Sequence, residues 1–484
     1  MLECMRHSLL LFLAVALQAQ SSAPALLEEA RSQPVEVFAD IAFQLLPHLS
    51  PAAKIDTLTA IFERAGEARS SFPSRYPDLE ALDALSLRSR AVRTILPLDG
   101  KRGRQLFESM SHPNVPRPTC EEVVAPNAGI YMDTVEAVFR QGQFSDSERE
   151  KRVPWTLVID AVRGAGSAAE ITAAAQRLAP FARSEREQAE MTSALAFGLA
   201  VQDSDRAFMS MPPARLVGSL VGAGSFLRRV NQLPVLSALR NYLVRQLTSE
   251  RCEVTSPTNL EIAEAFKQAI SGRSDITPLT ADEMEAAKHE GKPNAPDVDP
   301  ALLALERRLN ALSSRKPGED LAELHTSAAW RDQVLQVLSG IETWKGAPGR
   351  DSVKIACDKL KLLKTVVAVA PSGVVHQTAL SRMLNILGDP VFLLQFPETW
   401  VSEARGLLML AKGLMASRAA SARIEGSPNE TGLEIANQIA ASKLPALSIY
   451  GRLLLLGQAP PTAEERRCPF NALKTANLPA RGRI

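Results

Sequence analysis

Five times along this chain a serine or aspartate, both capping side chains, stands directly before a proline: Ser50-Pro51, Ser256-Pro257, Asp299-Pro300, Asp389-Pro390 and Ser427-Pro428. Such a pair starts a helix for two reasons. The side-chain oxygen accepts an orphaned N–H of the first turn, and proline at the first helical position has no N–H to lose and already holds the helical φ. Capping boxes at Ser167/Glu170, Ser184/Glu187, Thr258/Glu261 and Ser427/Glu430 add further starts, and Gly272 and Gly457 stand where left-handed caps end helices. Behind these signals apolar residues recur at helical spacing, as in Ile55, Leu58, Phe62 and Ala65, or Trp330, Val334, Val337, Leu338 and Ile341. The 32 prolines in 484 residues, about one per fifteen, therefore separate helices rather than break them. Sustained period-two alternation is absent, and the β-flavoured runs Thr156–Val162 and Thr365–Ala370 each continue a helical pattern. The fold class expected is all-α.

Helix-turn-helix units follow one another every 30 to 45 residues, which predicts irregular helical hairpins stacked as an α-solenoid-like array. Val92–Met110 and Ala196–Met211 share a loose pattern, an apolar helix followed by an Asp with an Arg three positions on (Asp99/Arg102 and Asp203/Arg206). No TPR or ankyrin consensus fits either. Residues 273–299 combine charge, proline and glycine with little apolar content, so they read as a linker between an N-terminal helical domain (20–272) and a C-terminal one (300–457). Thr280/Glu283 offers a cap for a short helix inside that linker. Residues 458–484 lose periodicity and read as a poorly structured tail.

The first residues suggest export. Arg6 precedes an apolar run from Ser8 to Leu17 and a small-residue exit at Gln18–Ala23, so residues 1–19 read as a signal peptide cleaved after Ala19. Ten apolar residues are too few to span about 30 Å of hydrocarbon, so no transmembrane span is expected after cleavage. In an oxidising space Cys120, Cys252, Cys357 and Cys468 are disulfide candidates, with three possible connectivities. Pairing Cys120 with Cys252 and Cys357 with Cys468 would keep each bridge inside one half. The 55 Lys and Arg against 54 Asp and Glu leave no basic surplus, which argues against a nucleic-acid partner.

These features together give the chain an architecture similar to uncharacterised exported bacterial helical-repeat proteins. The resemblance spans the whole mature chain and carries no diagnostic motif, so it implies a fold and an exported location, periplasmic or extracellular, and no site residues.

Chemistry motifs are sparse. Gly164-Ala165-Gly166-Ser167-Ala168-Ala169 matches a dinucleotide fingerprint, but no second strand follows, so it reads as a glycine turn between two helices with Ser167 as cap. Gly218, Gly222 and Gly224 form a small-residue face that predicts close helix packing. Ser313 and Lys316 fit the S-x-x-K of penicillin-recognising enzymes, without that family's other motifs. Glu403 and Gly413-Leu414-Met415 are similar to part of the lytic transglycosylase pattern, with the Ser402-Glu403 order reversed and alanine at 416 in place of glutamine, and Trp400–Met415 reads as one amphipathic helix. His48, His112, His289, His325 and His376 are never three or four positions apart, so no helical metal pair exists. His112, within the proline-rich stretch Ser111–Asn127, is the histidine most worth testing. Neither a cofactor nor a metal is expected.

Two functions fit this reading. The chain is expected to be an exported helical binding or scaffolding protein of the cell envelope, with a protein, peptide or glycan partner. The alternative is a hydrolase acting on envelope or extracellular polymer, with a site assembled from distant residues. A hydrolase should gather polar groups with perturbed pKa in one pocket, whereas a scaffold should present a long groove or apolar patch.

Overall fold

A computed structural model describes residues 22–69, 81–112, 129–201, 217–220, 233–247, 259–285, 299–313, 327–370, 373–416 and 428–456. The fold is all-α, with no strand among the described residues. In chain order the helices are α1 Ala23–Ala30, α2 Val35–Leu45, α3 Pro51–Arg64, α4 Ala84–Ile95, α5 Gly100–Glu108, α6 Gly129–Gln141 and α7 Asp146–Glu150. Then follow α8 Val153–Arg163, α9 Ala168–Arg177, α10 Glu185–Val201, α11 Leu233–Leu247, α12 Asn259–Ala269, α13 Ala281–Glu285 and α14 Pro300–Ser313. The last are α15 Ala328–Thr343, α16 Ser352–Val369, α17 Val374–Leu387, α18 Pro390–Gln395, α19 Pro397–Ala416, α20 Pro428–Ala440 and α21 Pro445–Leu456.

The caps do what the sequence requires. Ser50 Oγ accepts from Ala53 N–H at 3.3 Å, Asp389 from Val391 at 2.8 Å, and Asp299 from Ala301 at 2.9 Å. Asp299 also takes the indole N–H of Trp344 at 3.1 Å, so one carboxylate caps α14 and ties it to the end of α15. The boxes at Ser167/Glu170, Ser184/Glu187 and Thr280/Glu283 form, and Gly272 ends its segment at φ +79°. A further box, Ser145/Glu148, was not anticipated from the sequence. Both β-flavoured runs lie within helices, α8 and α16.

Packing runs mostly between chain neighbours: α3 on α4, α4 on α6, α6 on α9, α8 on α10, α10 on α11, and later α16 on α17, α19 on α20 and α20 on α21. The last contact is a close one. A Cβ on Gly451 would come within 2.2 Å of the Ala440 main-chain nitrogen, so only glycine lets α21 approach the end of α20. At Gly218 the expectation of close packing does not hold, because a Cβ there would meet nothing within 4 Å. Gly222 and Gly224 lie outside the described residues.

One set of contacts joins distant parts of the chain. Helices α1 and α2 pack on α21, and α2 packs on α19. Trp400 of α19 and Tyr450 of α21, both fully buried, pack together at the seam with ring centroids 5.8 Å apart, and each such side chain contributes about 1.5–3 kcal/mol relative to exposure. At its centre Asp40, also fully buried, pairs with the Arg405 guanidinium and accepts the Tyr450 hydroxyl. Gln44 donates to the same carboxylate at 3.0 Å. At the rim Arg452 holds Glu29 through both nitrogens and lowers that carboxyl's pKa by hydrogen bonding, and Arg69 donates to the Leu394 carbonyl. The first described helices therefore complete the packing of the last.

Part of the expected linker is held in place. Arg240 of α11 donates to the carbonyls of Thr277 at 2.9 Å and Pro278 at 3.3 Å, and pairs with Glu283 at 2.9 Å. Residues 286–298, the predicted signal peptide (1–19) and the predicted tail (458–484) lie outside the described residues.

Candidate functional site

Two features singled out separately in the sequence meet in space. The glycine turn between α8 and α9 carries Ser167 as N-cap of α9, and His112, just past α5, leans against that turn. Gly164 makes room for it: a Cβ there would stand 2.7 Å from His112 Cδ2 and 2.8 Å from Nε2. The ring lies edge-on to Tyr131 of α6, with centroids 5.0 Å apart, and Tyr131 in turn packs on Phe107 of α5 at 5.7 Å. The imidazole Nε2 is 3.4 Å from the Ala161 carbonyl.

Opposite Nδ1 stands Glu170, the third residue of α9, with no solvent exposure. Its Oε2 accepts the Gly166 N–H at 2.7 Å and the Ser167 hydroxyl at 3.1 Å, so it reaches back over the start of its own helix. Its Oε1 lies 3.9 Å from His112 Nδ1 and accepts no hydrogen bond. Burial pushes the Glu170 carboxyl above its ordinary range, opposed by the nearby His112 ring and by the bonds from Gly166 and Ser167. Tyr131 is pushed up to about 12, first by burial and then by the Glu170 charge.

A different kind of site opens between α10 and α11. It is a groove of about 620 Å³. One wall is a stripe of small residues on α10, Ala189, Ser193, Ala196 and Ala200, and the other is Pro234, Ala238, Asn241 and Arg245 of α11. Phe197 stands on its lining and is 54% exposed, unusual for so large an apolar side chain in a chain with few aromatics. Arg245 donates to the Leu199 carbonyl at 2.6 Å, which holds the two walls at one spacing. Beside the groove Glu190 is closed off: it takes both nitrogens of Arg152 at 3.0 and 2.9 Å and one from Arg186 at 3.0 Å. The Arg152 bonds, ahead of those from Trp155 and Arg186, bring its carboxyl down to about 2.

The remaining sequence candidates have structural duties. Glu403 lies within α19, one continuous helix as the periodicity predicts, where it is 4% exposed and paired with Lys364 of α16 at 2.5 Å. Ser313 is the last residue of α14, and Lys316 lies outside the described residues. Cys357 sits half-buried in α16 against the core; Cys120, Cys252 and Cys468 lie outside the described residues, so no bridge is placed. No described helix is long and apolar enough to cross a membrane, and among the described residues no three His, Cys, Asp or Glu gather as for a metal. Glu170 was legible in the sequence only as a capping residue, and nothing flagged Tyr131 or the groove. Comparison with known proteins finds no matching family model, no matching curated protein and no matching solved structure.

Proposed function

We propose that this chain is an exported helical binding or scaffolding protein of the cell envelope, periplasmic or extracellular, and that the groove between α10 and α11 is where its partner docks. The observation that carries this reading is the groove itself, a concave, mostly apolar surface with an exposed aromatic residue on its lining. Exposed aromatics in concave surfaces are the side chains that dominate binding energy when a partner covers them. Small residues at spacings of four, three and four along α10 leave a trough about 16 Å long by helix rise, suited to an extended peptide, a helix or a glycan chain. Asn241 and Arg245 supply polar contacts along the α11 wall.

Among the described residues the hydrolase alternative would use His112 and Glu170, where a carboxylate with a raised pKa stands beside an imidazole. Its geometry is unfavourable for catalysis. A general base must offer a free nitrogen to substrate, yet both His112 nitrogens face protein acceptors, the Ala161 carbonyl and Glu170 Oε1.

The test is affinity capture from an envelope extract with the full chain and with Ser193→Trp, which fills the groove from an exposed position. A partner enriched by the parent chain and lost with Ser193→Trp is the expected result. Equal enrichment by both places the binding surface elsewhere, and enrichment of nothing overturns the reading. Tryptic maps with and without reductant test the bridges that export would permit.

A further inference from the structure

After Glu190, helix α10 carries no charged residue as far as Val201, and apolar side chains stand on its outer side as well as its inner one. A helix of that composition is ordinarily buried all round. Here the outer side is open: Ser193 and Ala200 are exposed, and Phe197 and Val201 are each 54% exposed. Ser193, Phe197 and Ala200 line the groove that α10 forms with α11. Thr192 lines it too, is only 4% exposed, and its hydroxyl has no hydrogen-bond partner among the described residues. A helical threonine can turn that oxygen to a carbonyl of the preceding turn. A hydroxyl left unpaired beside a groove points instead to a group that arrives from outside.

The lining favours a helix over an extended chain. A strand or a glycan brings polar groups along its whole length, which Ala189, Ala196, Ala200, Pro234 and Ala238 cannot serve. A helix satisfies its own backbone, and small residues let a second helix come close. The charges at the two ends of the groove say which helix. Glu185, exposed in the first turn of α10, stands one turn before Ala189 on the same stripe. At the other end stands Arg245, bonded to the Leu199 carbonyl. A second α10 running antiparallel brings its Glu185 to this Arg245 and its Arg245 to this Glu185. Running parallel, it would set like charges together.

From these features we infer that the groove takes a second copy of this chain, with the two α10 helices packed antiparallel about a two-fold axis between Thr192 and Ser193. That register sets Ala189 of each copy against Ala196 of the other and lays Phe197 beside the other copy's Ala189. It also brings the Ser193 hydroxyl of each copy to Thr192 of the other. Such a contact is self-complementary, so both grooves fill at once. The trough is about three helical turns long, which makes the interface a small and reversible one. The inference rests on the groove being a docking surface, as proposed above, and names its occupant.

The test is sedimentation velocity on the full chain over a range of concentrations, beside Ser193→Trp, Glu185→Lys and the double variant Glu185→Lys/Arg245→Glu. The parent is expected to form a dimer that Ser193→Trp abolishes. Glu185→Lys should weaken the dimer about tenfold, and adding Arg245→Glu should recover most of that loss. If the Arg245 variant does not fold, oxidative crosslinking reads the register instead. Ser193→Cys should give a dimer linked through position 193, whereas Ala200→Cys, about 22 Å from its counterpart in this register, should not. A parent that stays monomeric at every concentration overturns the inference, and the groove reading survives if another protein is captured and lost with Ser193→Trp. A dimer indifferent to Ser193→Trp, or one linked equally through positions 193 and 200, overturns it as well.

Discussion

Asp40 at the terminal seam and Glu170 beneath His112 are both fully buried carboxylates, and their surroundings differ in kind. Asp40 is saturated: an arginine, a tyrosine hydroxyl and a glutamine amide all serve it. Arginine keeps its charge at every accessible pH, so that cluster is permanent. Glu170 has donors on one oxygen and only a histidine 3.9 Å from the other. The first arrangement closes a fold, and the second completes a helix cap. Burial of a charge is therefore no guide to its purpose until the groups set around it are considered.

Substitutions can break or sharpen this contrast. The largest effect is expected from Arg405→Met, which leaves Asp40 buried without its cation and should cost about 3–5 kcal/mol in denaturant unfolding. Adding Asp40→Leu should recover much of that loss, and a double mutant as unstable as the sum of the singles would show that the pair is not a unit. Tyr450→Phe removes one donor from the same carboxylate, with an expected cost of about 1.5–3 kcal/mol. That loss should be the same at pH 5 and pH 8 if the cluster is permanent.

At the other carboxylate, Gly164→Ala places a methyl group against the His112 ring. Overpacking of this kind costs about 1–3 kcal/mol, measured by denaturant unfolding. The smallest effect concerns Glu170 itself. Its folded-state pKa is raised above the ordinary 4.5 by burial, so the unfolded chain releases this proton first. The stability it contributes is complete at and below pH 4.5 and is lost as pH climbs through the raised folded value. Glu170→Gln should remove that decline; a variant curve parallel to the parent's from pH 4.5 upward would mean that Glu170 is not the group responsible.

The groove belongs to neither kind of site. Its walls carry no buried charge, and substitution of an exposed residue there should change stability by no more than about 0.5 kcal/mol. That makes the Ser193→Trp test a clean one, since lost binding would not reflect lost folding.

Local signals in the sequence settled local structure. Ser50, Asp299 and Asp389 start helices because a cap and a proline act within a single turn. The Gly164–Ser167 turn and the single helix spanning Glu403 were legible for the same reason. Export, the bridges among Cys120, Cys252, Cys357 and Cys468, and the division at 273–299 depend on segments largely outside the described residues and stay expectations. The seam was not legible at all. Asp40 and Arg405 are 365 positions apart, and nothing in helical periodicity says which exposed face of one hairpin meets which face of another. The same limit hid the role of Glu170: as a cap it speaks only to its own helix, and only the approach of α5 and α6 gives its second oxygen a partner. Sequence alone determined where helices begin and end, because those energies are spent within four residues. Tertiary structure alone decided which buried charges are permanent and which depend on a proton, because that depends on what the folded chain sets opposite them.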